Sequence, residues 1–193
     1  MKVLVACEFS GIVRGAFAAQ GHYAVSCDLL PSEEENLQNG HHYQGDVFDI
    51  IDDDWDLMVA HPPCTYLANS GVRWLHEKDN RWDQMEKGCE FFKALMNANI
   101  PRIAVENPIM HKHAKALGIG DPFQVVQPWM FGENESKAIC LWLKGLMPLI
   151  PEIDSKPGHI EQKIWAMPQT QQRQKERSRF YKGVAKAMAE QWG

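Results

Sequence analysis

The stretch that most constrains this chain runs from Trp55 to Ser70, WDLMVAHPPCTYLANS. Leu57-Met58-Val59-Ala60 is an apolar run with the length of a fully buried strand. Pro62-Pro63 ends it, because proline neither donates to a β-ladder nor continues one. Cys64 follows at once, so a thiol is held on a stiff turn at the carboxyl end of a strand. In an open α/β sheet the ligand crevice lies outside the carboxyl ends of the strands. A second run of this type, Arg102-Ile103-Ala104-Val105, leads into Glu106-Asn107-Pro108 and puts a carboxylate on the same edge. A thiol and a carboxylate on two strand exits point to covalent catalysis with an acid/base partner.

The remainder of the chain supplies the layers around that pair. Val3-Leu4-Val5-Ala6 has the composition of a buried parallel strand. After Cys7-Glu8-Phe9-Ser10-Gly11, Ser10 is placed to cap a helix whose Ile12, Val13, Ala16 and Phe17 share one face, and Gly21 stops it. Strand, glycine turn and helix make a nucleotide-binding opening, with one glycine where a dinucleotide fingerprint has three. Tyr23 to Cys27 is a second strand ending in Asp28, which is placed either to accept from ribose hydroxyls or to act as a solvated loop acid. Pro31 to His42 is a polar loop, and Gly45-Asp46-Val47-Phe48 a short strand or turn in which Asp46 either meets an adenine amino group or forms the turn. Thr65 to Asn80 is a long polar loop of the kind used as lids. Trp82, Met85, Cys89, Phe92 and Met96 then space as the core face of a helix over Arg81 to Asn97. A short helix from His111 to Leu117, strands around Gln124 to Gln127 and Ala138 to Leu143, and a terminal helix bearing Val184, Met188 and Trp192 complete the pattern. The expected architecture is a single doubly wound α/β domain over residues 1–193, its mostly parallel sheet covered by helices on both faces.

Composition removes several classes. With 45% hydrophobic and 23% charged residues the chain is expected to be globular, and its net charge of -5 argues against nonspecific coating of nucleic acid. No apolar run is long enough to span a bilayer, and the amino terminus is too short for a secretory signal. Five scattered cysteines without a CxxC pair point to a reducing, cytoplasmic setting. His41-His42 and His111-x-His113 lack a matching second cluster, so they are expected to be surface histidines and no metal site is assigned. Arg173, Lys175, Arg177 and Arg179 form a basic strip that is either a solvated helix face or a phosphate-contacting surface.

From Val3 to about Leu143 the motifs resemble, in order, those of the C5-cytosine DNA methyltransferases, which use S-adenosylmethionine. Phe9-Ser10-Gly11 resembles the first cofactor motif, Asp28 the ribose-binding acid and Gly45-Asp46-Val47 the adenine-binding turn. Pro63-Cys64 resembles the motif that carries the nucleophile, and Glu106-Asn107-Pro108 the motif that grips the cytosine. The resemblance implies a Rossmann-like methyltransferase domain with Cys64 and Glu106 catalytic. It implies a cofactor site of Phe9, Ser10, Gly11, Asp28, Asp46, Val47 and Pro63. Arg73, Lys137, Arg173, Arg177 and Arg179 are the candidates for nucleic-acid contact, Lys137 falling on the first arginine of a family segment and Ile139 on the second. The closing family motif is reduced to Tyr181-Lys182-Gly183-Val184, and residues 145–179 stand where the family has a target-recognition domain. Small proteins of this pattern look like phage- or prophage-borne relatives.

Duplex or single-stranded DNA is the implied substrate, with RNA and free nucleotides left open. Two other classes fit parts of the pattern. His61-Pro62-Pro63-Cys64 is similar to the motif of amino-methyltransferases acting on adenine N6 or cytosine N4, although His61 and Cys64 suit those roles badly. A cofactor-binding regulatory or anti-restriction protein without turnover is the non-enzymatic alternative, favoured by Ile139 and the shortened last motif.

Overall fold

In the computed structural model, which describes residues 1–34, 40–160, 170, 176 and 178–193, the apolar runs pair into one seven-stranded sheet. The strands are β1 (Lys2–Ala6), β2 (Tyr23–Asp28), β3 (His42–Gln44), β4 (Leu57–Ala60), β5 (Ile103–Asn107), β6 (Gln124–Val126) and β7 (Ile139–Lys144). Their order is β3-β2-β1-β4-β5-β7-β6. Every pairing is parallel except those of β7, which runs antiparallel to both β5 and β6. The chain winds outward from β1 to β3, then returns to lay β4 against the other side of β1. That reversal puts a topological switch point at the carboxyl ends of β1 and β4, the place where open α/β sheets generally hold their ligands.

Side chains alternate across each strand, so every central strand feeds two cores. Leu4, Ala6, Met58, Ala60, Ile103 and Val105 face one side, where they meet Met85, Cys89, Phe92 and Leu95 of α3 (Arg81–Met96). Val3, Val5, Leu57, Val59 and Ala104 face the other. There they meet Val13 and Phe17 of α1 (Ile12–Ala19) and Val184, Met188 and Trp192 of the last helix, Lys182–Trp192. Helices therefore lie on both faces of the sheet.

Four details differ from the sequence reading. His42–Gln44 is a strand rather than the end of a loop, because the His42 ring is held by Ser26 Oγ at 2.9 Å and by the Leu30 carbonyl at 2.9 Å. The stretch 65–80 contains a 3-10 turn at Asn69–Gly71 and the short helix α2 (Trp74–Glu77). The helix expected from His111 is only α4 (Lys112–Ala114), followed by a π turn (Lys115–Ile119) whose backbone leaves helical geometry at Leu117 and Gly118. His111 itself is not a surface histidine. It is 2% exposed, its Nδ1 accepts from the Ala114 N–H at 3.1 Å, and its Nε2 bonds the Tyr66 carbonyl at 3.0 Å. The terminal helix, α5 (Lys182–Trp192), is where its apolar spacing placed it. Gly183 lets α5 pack directly on the 3-10 turn Pro128–Phe131, since a Cβ there would overlap the Phe131 carbonyl.

Phe17 is fully buried between α1 and α5. Replacing it with alanine is expected to cost about 3–5 kcal/mol, read as a shift of the urea midpoint with an unchanged slope. A loss below about 1 kcal/mol would mean that α1 and α5 do not share this core.

Candidate functional site at the carboxyl edge of the sheet

The exit of β1 is built around Glu8. This carboxylate is only 4% exposed and accepts from the N–H groups of Val13 (2.6 Å) and Arg14 (3.1 Å) and from the Ser10 hydroxyl (3.3 Å). Glu8, and not Ser10, is the main cap of α1; Ser10 Oγ only reaches the Ile12 N–H at 3.4 Å. The first-turn donors of a helix form an anion site, and here the chain's own carboxylate fills it. Gly11 follows with φ of 73°, where a Cβ would lie 2.7 Å from Cβ of Glu34. Cys7, at φ of 59°, takes the same uncommon conformation without being glycine.

The acids expected to serve a cofactor cluster beside this turn. Asp28 ends β2, next to β1, and its Oδ1 accepts from the Leu30 N–H at 2.9 Å. Asp46 caps the 3-10 turn Val47–Asp49, accepting from the Phe48 N–H at 3.1 Å. Burial, and then the charges of Asp28 and Asp46, push the Cys7 thiol far above its usual range. Above the turn the Glu33 N–H donates to the Phe9 carbonyl at 2.9 Å. The buried Arg14 guanidinium reaches Ser32 Oγ at 3.1 Å and the Glu34 carbonyl at 2.6 Å.

On the other side of the switch, the exits of β4 and β5 are laced together. Asn107 is 1% exposed, and its Nδ2–H donates to the Pro62 carbonyl at 2.9 Å. Further out, Ala68 bridges Met110, the Asn69 N–H donates to Ile109 (2.8 Å) and the His111 N–H to Leu67 (3.0 Å). Cys64 is half-buried, and its carbonyl accepts from the N–H groups of Leu67 (3.0 Å) and Ala68 (2.9 Å) in a tight turn. Glu106 lies one residue beyond Val105, which pairs with Ala60 of β4. The structure thus brings Pro63, Cys64 and Glu106 onto adjacent strand exits. The sequence reading missed His61 as a participant: its Nδ1 stands 3.2 Å from Glu106 Oε2. Asn107 Oδ1, His61 Nε2 and Tyr181 Oη are buried and without hydrogen-bond partners among the described residues, and the first two belong to residues that adjoin Glu106 in sequence or in space. Such groups are uncommon in folded proteins and call for an explanation at each site.

The candidate nucleic-acid residues are more scattered. Because β7 is antiparallel, its start lies beside the end of β5, which puts Lys137 at the same edge with Nζ 5.7 Å from the Tyr181 ring. Arg73 is exposed, with its guanidinium 4.2 Å from the Trp74 ring centre. Arg179 is engaged elsewhere: its fork pairs with Glu33 at 3.0 and 3.1 Å and with Glu176 at 2.6 Å. Its charge is therefore spent on carboxylates rather than offered to phosphate. Arg173 and Arg177 lie outside the described residues. Ile139 is fully buried at the start of β7, so its place belongs to the core.

No family model matches the sequence, and no curated protein matches it. Among solved structures, the chain is similar to an Escherichia coli prophage-encoded protein assigned as a DNA modification methyltransferase, at 15% identity and a TM-score of 0.52. The alignment covers 88% of this chain and 56% of that one, so this chain spans little more than half its length. A methyltransferase of Entamoeba histolytica aligns at 15% identity and a TM-score of 0.45, over 84% of this chain and 57% of its own. The protein WbdD aligns at 12% identity and 0.43, over 82% and 39%. The first of these likenesses shows the fold.

The buried thiols make a test of the packing around this edge. Cys27 and Cys140 are each pushed up to about 11, first by burial, then by Asp28 and by Glu106 respectively. An acid whose folded value lies above its unfolded one ionises first in the unfolded chain. Its stabilisation is complete below about pH 8.5 and is lost as pH rises towards 11. The urea midpoint is expected to fall over that window, and Cys27→Ala with Cys140→Ala to flatten the fall. An identical slope in the double variant would contradict this placement.

Proposed function

We propose that the protein is an S-adenosylmethionine-dependent methyltransferase acting on C5 of cytosine in DNA, through a transient bond to Cys64. One observation carries this: the 2.9 Å bond from Asn107 to Pro62 ties the Pro63-Cys64 turn to the strand exit that presents Glu106. A nucleophile and an acid/base group are thereby held on one rigid edge, as covalent catalysis requires.

The residues present fit the cofactor. With Glu8 filling the N-terminus of α1, a pyrophosphate has no place there, whereas a nucleoside joined to an amino acid needs none. Asp28 and Asp46 would face ribose and adenine, and Gly11 permits close backbone approach. Leu29, Leu30 and Phe48, which follow β2 and β3, are 74%, 55% and 45% exposed, and an adenine ring would cover such apolar surface. When bound, the cofactor supplies an electrophilic methyl group on a sulfonium.

The chain's own residues then account for the rest. C5 of cytosine is a poor nucleophile until C6 is saturated. The Cys64 thiolate adds to C6, and the C5–C6 π pair shifts to C5–C4 as the C4–N3 pair moves onto N3, which takes a proton and leaves C5 enamine-like. Glu106 hydrogen-bonds the N3/N4 edge and favours the proton at N3 as addition proceeds. After methyl transfer a base, such as solvent water, takes the C5 proton; the C5–H electron pair reforms the C5–C6 double bond as the C6–S bond breaks and the thiolate leaves. In a duplex the base must be flipped out of the stack to reach this edge. Arg73 and Lys137 are the described cations that would meet the backbone.

With DNA bearing 5-fluorocytosine the C5 substituent cannot leave as a proton. Intact-mass measurement in the presence of cofactor is expected to show protein plus DNA, absent in Cys64→Ser. Methyl transfer without any adduct would instead establish amino-methylation, and cofactor binding with neither would establish a regulatory role. Arg73→Ala is expected to lower the salt slope of DNA binding by about one. Affinity indifferent to salt would point to a free nucleotide.

A further inference from the structure

His61 has no part in the scheme above, yet its ring is fixed from several sides. It stands one residue beyond β4, where its backbone N–H donates to the Ala6 carbonyl at 2.9 Å. Its side chain is 11% exposed and that of Glu106 12%. Nδ1 lies 3.2 Å from Glu106 Oε2, and the ring packs against Phe180 with centres 4.7 Å apart. Nε2 is buried, with no partner among the described residues.

These contacts select one form of the ring. A carboxylate oxygen only accepts, so the proton belongs on Nδ1. A second proton on Nε2 would bury an N–H with no acceptor, which is rarer than an unpaired acceptor. The neutral ring with Nδ1–H therefore satisfies the geometry.

We propose that His61 is a positioning residue for Glu106: its Nδ1–H holds Oε2, so that Oε1 stays turned to the N3/N4 edge of the target cytosine. This rests on the methyltransferase reading. A glutamate at a strand exit has several rotamers, and an oxygen anchored by a packed ring removes all but one. Groups that orient an active carboxylate in this way sharpen binding and chemistry without touching the substrate. Phe180 extends the chain of support, since it adjoins Arg179, whose fork holds Glu33 above the cofactor turn.

Two measurements test the proposal. Long-range nitrogen NMR on histidine-labelled protein at about pH 8 reads the tautomer of neutral rings, and the His61 signal is identified by its loss in His61→Asn. The expected form is Nδ1–H, and an Nε2–H ring would overturn the proposal. The second measurement is the rate of adduct formation on 5-fluorocytosine DNA. His61→Asn, whose amide N–H replaces Nδ1–H, is expected to trap nearly as fast as the parent. His61→Leu is expected to be slower by about 10- to 100-fold at unchanged cofactor affinity. Equal rates for His61→Leu and parent would overturn the positioning role. A parent with the Nδ1–H ring but no adduct would overturn the covalent C5-methylation reading and leave the His61–Glu106 bond standing.

Discussion

The hydrogen bond from Asn107 Nδ2 to the Pro62 carbonyl is the contact on which this edge of the molecule depends. Pro62-Pro63 ends β4 abruptly, and the carbonyl left there has no ladder partner. A buried carbonyl without a donor costs about 1–3 kcal/mol, so the turn is held only because β5 delivers an amide to it. The same amide makes the two exits one unit. The Ala68–Met110 bridge and its flanking bonds extend that unit outward, so Cys64 rides on a braced turn rather than on a loose loop. Glu106, next to Asn107, is carried by the same strand end. Relative placement of thiol and carboxylate is thus a property of the sheet.

The exit of β1 is organised by a different device. Glu8 places a charge where α1 presents its unpaired N–H groups and its positive dipole end, which favours a carboxylate there. The chain has settled the helix terminus internally, and Asp28 and Asp46 stand beside it, each accepting from a backbone N–H of its own turn. Arg14 and Arg179 fasten the segment after β2 over this exit from two directions. One sits on α1 and the other just before α5, so the first and last helices meet both in the core and over the site.

Much of the fold was legible because local pattern and tertiary role agree. β1, β2, β4, α3 and α5 have strong apolar patterns and landed where those patterns put them, except that Trp82, expected in the core face of α3, is exposed. β3 was not legible: His42-Tyr43-Gln44 is polar, and it is a strand only because β2 supplies the partner. Burial of His111 was hidden for the same reason, since its two partners, Tyr66 and Ala114, give it no apolar signature. At the site, Pro63-Cys64 and Glu106-Asn107 could be picked out because each follows a readable strand. His61 and Asn107 find their partners 45 residues away, a distance at which no spacing rule operates. Glu8 could have been suspected from an acid at the start of a helix, but Ser10 is the commoner cap and drew the assignment.

The central claim is that a thiol adds to C6 before any methyl group moves, and it can be read from the hydrogen that C5 must lose. DNA carrying tritium at C5 of cytosine, incubated with protein and S-adenosylmethionine, reports that step directly. The account predicts tritium release to water in equal measure with methyl groups transferred, and neither event in Cys64→Ser. Methyl groups transferred with the tritium retained would place the chemistry on nitrogen and contradict it.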